Sequence, residues 1–79
     1  MERTEVINQL TVLFRKVFDN QALILFDEMT ADDVDQWTSL SHVILIAEIE
    51  KEFKITFQMR DLNKMDNVGA MVNLIMSKL

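Results

Sequence analysis

The sequence predicts an all-α fold: a small four-helix bundle with three main helices, a short third helix, and a long loop between helices one and two. Three observations carry this reading. Apolar residues recur at three- and four-residue steps through much of the 79-residue chain, the period of a half-buried helix. Pro is absent and Gly69 is the single glycine, whereas hairpins and β-sandwiches call on both residues for their turns. No alternating stretch is long enough to build a sheet. A chain this short buries only about 60% of the surface its unfolded form exposes, so one core is the limit and residues 1–79 form a single domain.

The first helix is expected over Glu2–Phe18. Val6, Ile7, Leu10, Leu13, Phe14, Val17 and Phe18 make one apolar stripe. Glu2 and Glu5 sit near its positive end and Arg15 and Lys16 near its negative end, as the macrodipole prefers. Asp19 to Thr38 is a connection that mixes an apolar run, Ala22-Leu23-Ile24-Leu25-Phe26, with Asp27, Glu28, Asp32, Asp33 and Asp35. A structureless loop of this length is unusual in a small domain. It should therefore dock on the core through part of Leu23–Phe26, Met29, Val34 and Trp37.

The second helix should begin near Thr38 or Ser39, either of which supplies an N-cap oxygen, and end near Phe53. Stepped at about 100° per residue, it shows two apolar sectors. One holds Leu45, Ile46, Ile49 and Phe53; the other holds Leu40, Val43, Ile44 and Ala47, with Ser41, Glu48 and Glu52 on the strip between. Such a helix is either central to the bundle or offers one side to a partner. Lys54-Ile55-Thr56-Phe57 reads as an extended connector anchored by Ile55 and Phe57. A short third helix is expected at about Arg60–Met65. The last helix starts at Asp66 or Asn67 as N-cap and carries Val68, Met71, Val72, Ile75 and Leu79 on one face, completing a bundle with one long crossover.

Charge and composition narrow the function. Eight Lys+Arg against 13 Asp+Glu leave a formal charge of −5, which argues against nucleic acid, whose binding needs a basic face. The longest apolar run is about five residues, far below the ~18 of a membrane span. Met1-Glu2-Arg3-Thr4-Glu5 is not the basic start of a signal peptide, so a cytoplasmic monomer is the expectation. With no Cys and one His, thiolate chemistry and the usual zinc sets are excluded.

Ser39 and His42 are three apart and share a helix face, an arrangement that invites a hydrolase reading. No Gly-rich segment suggests an oxyanion hole, and so small a bundle has little room for a substrate cleft. His42 is better read as a half-buried imidazole hydrogen-bonded to a loop. The acidic run Asp27–Asp35 lacks the Gly and the terminal Glu of a calcium loop, so no metal site is expected. Met65 and Met71 fit core positions, while Met29, Met59 and Met76 suit core or surface. What remains is Gln36-Trp37-Thr38-Ser39-Leu40-Ser41-His42. A serine at a helix start has an exposed hydroxyl in front of free backbone N–H groups, and a phosphate ester there would meet the positive end of the dipole. The plain alternative is an N-cap.

Over nearly the whole chain the sequence resembles the acyl carrier proteins of the phosphopantetheine-attachment family. The resemblance rests on Trp37-Thr38-Ser39-Leu40-Ser41-His42, then Ile46-Ala47-Glu48-Ile49-Glu50-Lys51-Glu52-Phe53 and Ile55, with Leu23-Ile24-Leu25 and Thr30-Ala31-Asp32-Asp33-Val34 upstream and Met65-Asp66-Asn67-Val68 downstream. It implies a shuttle and not an enzyme. A phosphopantetheinyl transferase would place 4′-phosphopantetheine from coenzyme A on Ser39. The thiol of that arm would hold an acyl or aminoacyl thioester, delivered to loading and condensing enzymes of fatty-acid, polyketide or peptide assembly.

Two departures stand out. Thr38 occupies the place of the family's usual Asp, keeping the capping oxygen but removing a charge. The partner-facing side of helix two carries Leu40, Ile44, Ala47 and Lys51 beside Glu48, where acidic residues are common, and Met59 and Asn63 depart likewise. These residues, Thr38, Leu40, Ile44, Ala47, Glu48, Lys51 and Met59, are the expected docking surface, with Leu40, Ile44 and Ala47 as an apolar strip. In the alternative, Ile44 packs under the long loop against Leu25 or Phe26. The runner-up function is a carrier-like bundle that is never modified and acts as a protein-interaction module.

Overall fold

In the computed structural model, which describes residues 1–79, the chain folds as α1 (Arg3–Val17), a single 3-10 turn (Ala31–Asp33), α2 (Ser39–Phe53), α3 (Met59–Leu62) and α4 (Val68–Lys78). The Cα radius of gyration is 11.4 Å, close to the ~11.6 Å that a fully compact chain of this length gives. The long connection is therefore folded onto the bundle.

α1 is the helix that packs against both α2 and α4. Its stripe Val6, Leu10, Leu13 and Phe14 is buried, and Phe18 is buried just beyond its last turn. The helix stops at Val17, one residue short of the expected end, because Phe18 is the cap and Asp19 turns left-handed at φ 51°. α2 contributes Leu45, Ile49 and Phe53 to the core, and α4 contributes Val68, Met71, Val72 and Ile75. Leu79 was expected on that face of the last helix, but it lies past the helix end and is exposed.

The crossover docks through Met29, Val34 and Trp37, all buried, while Leu23 and Leu25 pack partly against the core. Ile24 and Phe26 stay exposed. Polar contacts fix its path. The carbonyls of Asp27 and Met29 accept the first amides of α4, from Gly69 and Val68, each at 2.9 Å, so the loop caps that helix. A Cβ on Gly69 would lie 3.2 Å from the Asp27 carbonyl oxygen, which is why a residue without one sits there. Arg3 spans to Asp27 and to Asn73, joining α1, the loop and α4.

α3 is shorter than expected and starts earlier, at Met59. Asp61 accepts the Gln58 amide at 2.8 Å and pairs with Lys78 of α4 at 2.8 Å. That pair holds a single helical turn; the chain then bends at Asn63-Lys64 and brings in half-buried Met65. Lys54, expected in an extended stretch, instead ends α2 in the left-handed conformation at φ 57°. The amide of Phe57 donates to Glu50, anchoring the connector with Phe57 buried and Ile55 half-buried.

Candidate functional site

Three hydroxyl residues open α2. Thr38 is the N-cap: its Oγ1 accepts the Ser41 amide at 3.2 Å, and Ser41 Oγ accepts the Thr38 amide at 2.8 Å. Ser41 Oγ in turn donates to the Gln36 carbonyl at 2.7 Å. This reciprocal box satisfies two backbone donors and takes up two of the three hydroxyls. Ser39, the first residue of the helix, is exposed and its hydroxyl makes no hydrogen bond within the protein. The amides of Ser39 and Leu40 have no acceptor either, so two orphan donors and the positive dipole end adjoin a free hydroxyl. An anionic group on that oxygen would be electrostatically favoured.

Behind Ser39 the floor is aromatic. Trp37 packs edge-on against Phe14, with ring centroids 5.2 Å apart, and beside Phe18 at 5.7 Å. Its indole Nε1 donates to His42 Nδ1 at 2.9 Å. This is the loop hydrogen bond expected for His42, whose imidazole is half-buried. Partial burial pushes its pKa below the usual imidazole value, since burial disfavours the charged form. No hydrogen bond joins His42 to Ser39, and Nδ1 is already engaged by the indole; the pair is no nucleophile–base couple.

Two clefts meet at His42. One, shallow and about 540 Å³, is lined by Ala31, Trp37, Thr38, Ser39 and His42. The other, about 210 Å³ and mostly apolar, lies between α2 and α3 and is lined by His42, Val43, Ile46 and Leu62. Val43 and Leu62 were absent from the expected docking set. Val43 belonged to the second apolar sector, but only the fold shows that Leu62 faces the same opening.

The expected docking residues are mostly exposed. Leu40 is 73% exposed, Met59 75% and Ile44 48%; Thr38, Ala47 and Lys51 are exposed as well. The loop does not cover Ile44. Glu48 stands apart: it is half-buried and pairs with Lys16 of α1 at 3.5 Å, so it borders the α1 junction. No helix is long and apolar enough to cross a membrane.

No family model matches the chain, and no curated protein does. Among solved structures, it is similar to the solution NMR structure of a holo acyl carrier protein from Geobacter metallireducens. The two share 41% sequence identity and a TM-score of 0.88, over 92% of this chain and 84% of that one. Identity at this level along most of both chains, joined to the same helical architecture, shows that this chain belongs to the acyl carrier proteins and serves as a carrier, not an enzyme.

Proposed function

We propose that Ser39 is the attachment point of 4′-phosphopantetheine, and that this protein carries an acyl or aminoacyl group to biosynthetic enzymes. The observation that supports this most is the division of labour among the three hydroxyls: Thr38 and Ser41 are consumed by the helix cap, leaving Ser39 exposed without a partner. In the transfer, Ser39 Oγ forms a new bond to the phosphorus bearing pantetheine, and the bond from that phosphorus to the adenosine bisphosphate half of coenzyme A breaks. The serine proton passes to a base on the transferase. The orphan Ser39 and Leu40 amides then face the phosphodiester. When attached, the arm supplies the thiol for a thioester, which a chain without Cys lacks.

The chain's remaining task is to be docked. Leu40, Ile44 and Ala47 form an apolar strip on α2 close to Ser39 and, with exposed Thr38, Lys51 and Met59, meet the transferase and the loading and condensing enzymes. A tether raises the effective concentration of cargo at whichever active site holds the bundle. Docking is accordingly weak and transient, in a cytoplasmic, monomeric protein.

Intact mass tests the attachment. Incubation with coenzyme A and a broad-specificity phosphopantetheinyl transferase is expected to add the mass of one arm, and Ser39→Ala to abolish the gain. No gain under forcing conditions overturns the carrier reading. It would favour instead an unmodified interaction module, the reading to which Thr38 in place of an Asp points.

A further inference from the structure

The attachment chemistry makes no use of His42, yet His42 forms the wall shared by both clefts. Its hydrogen bonding fixes its tautomer. An indole N–H is only a donor, so the nitrogen it reaches, Nδ1, must offer a lone pair. The ring proton of the neutral imidazole therefore sits on Nε2. Nε2 makes no hydrogen bond within the protein, and no buried side-chain N or O lacks a partner, so Nε2 is open to solvent. Trp37, which sets this arrangement, is itself buried between Phe14 and Phe18. The ring planes of Trp37 and His42 are only 18° apart, with centroids at 6.0 Å. The result is a neutral N–H donor, of fixed tautomer and on a rigid support, where the serine cleft joins the apolar cleft between α2 and α3.

The geometry points to His42 as a positioning residue for the arm on Ser39: its Nε2–H donates to an amide carbonyl oxygen of the pantetheine chain and turns the chain toward the cleft of Val43, Ile46 and Leu62. An arm leaving Ser39 for that cleft has to pass the wall both openings share. A neutral donor suits a neutral amide acceptor. A phosphate oxygen would draw an imidazolium, whose Nδ1–H would oppose the Trp37 N–H. This inference rests on Ser39 bearing the arm.

The test compares ¹⁵N-labelled apo protein with protein loaded on Ser39, the mass confirming the load, through long-range imidazole spectra at neutral pH. The expected result is the Nε2-protonated tautomer in both forms, a shift of the Nε2 signal on loading, and nuclear Overhauser contacts from the arm to Val43 and Leu62. His42→Phe, loaded and still folded by thermal melting, loses those contacts, and His42→Gln, which keeps an N–H donor, restores part of them. Unchanged imidazole signals in a protein whose mass shows the arm overturn the inference and leave the carrier reading intact, as does an Nδ1-protonated ring. A rise in the His42 pKa on loading overturns the amide assignment in favour of the phosphodiester. A protein that never gains the arm sinks both. Should His42→Phe fail to fold, the comparison of the unmutated apo and loaded forms decides.

Discussion

Thr38, Ser39 and Ser41 present three hydroxyls within one turn, and hydrogen bonding assigns two of them to the fold. The sequence leaves Thr38 and Ser39 as rival caps; the extended backbone of Thr38, at φ −107° and ψ 176°, makes it the cap and frees Ser39. Thr38→Asp tests what the missing charge costs. Asp caps at least as well as Thr, and a negative charge at a helix start is worth about 0.3–1 kcal/mol, so the melting temperature is expected to hold or rise slightly. Loading of Ser39, followed by the rate of mass gain, is expected to become faster at low salt, with the advantage shrinking as salt screens the new charge. Spacing puts His42 three residues from Ser39, yet its hydrogen bond is to Trp37 and not to the serine.

At the scale of elements, α2 divides by function. Leu45 is fully buried while Leu40, five residues earlier on the same helix, is 73% exposed. Leu45→Ala removes packed atoms and leaves a cavity, so unfolding in denaturant is expected to show a loss of about 2–5 kcal/mol. Leu40→Ala is expected to stay within about 0.5 kcal/mol, yet to weaken docking of a processing enzyme. If the apolar strip governs that docking, affinity falls only gently as salt rises; a steep fall would assign recognition to charge instead. The two-sided wheel of α2 leaves open whether the helix is central or partner-facing. The fold decides: Leu45, Ile49 and Phe53 enter the core, while Leu40, Val43, Ile44 and Ala47 stay exposed. In α3 the sequence predicts a longer helix than one turn, since the pair that defines it, Asp61 with Lys78, joins residues far apart in the chain.

At the scale of the whole molecule, two titrating groups act in the same direction. The hydrogen bond from Lys78, then that from the Gln58 amide, holds the Asp61 carboxyl below its usual range. Its contribution is complete above the unfolded carboxylate value of about 4 and is lost as pH falls through the lowered folded value. His42, held neutral by burial, adds a penalty once pH drops below the unfolded imidazole value of about 6.5, because the unfolded chain then binds the extra proton. Thermal melts are therefore expected to show stability falling from about pH 6.5 downward and falling again below about pH 4. In His42→Gln the first step disappears; in Asp61→Asn the second is reduced and the melting temperature near neutral pH is lower.

The sequence by itself determined the all-α class, the order of the helices, the docking of the crossover through Met29, Val34 and Trp37, and the placement of Ser39 at the mouth of α2. Those features are written in local periodicity, capping chemistry and the scarcity of Gly and Pro, which act within a turn or two of the chain. Only the tertiary structure decided which face of α2 is left to solvent, that Glu48 is drawn toward Lys16, that α3 is a single turn, and that Trp37 locks the His42 tautomer between two clefts. Each of these depends on the route of the crossover or on pairs brought together by packing. A linear pattern does not encode which distant residue will stand opposite; burial of the shared apolar stripes does.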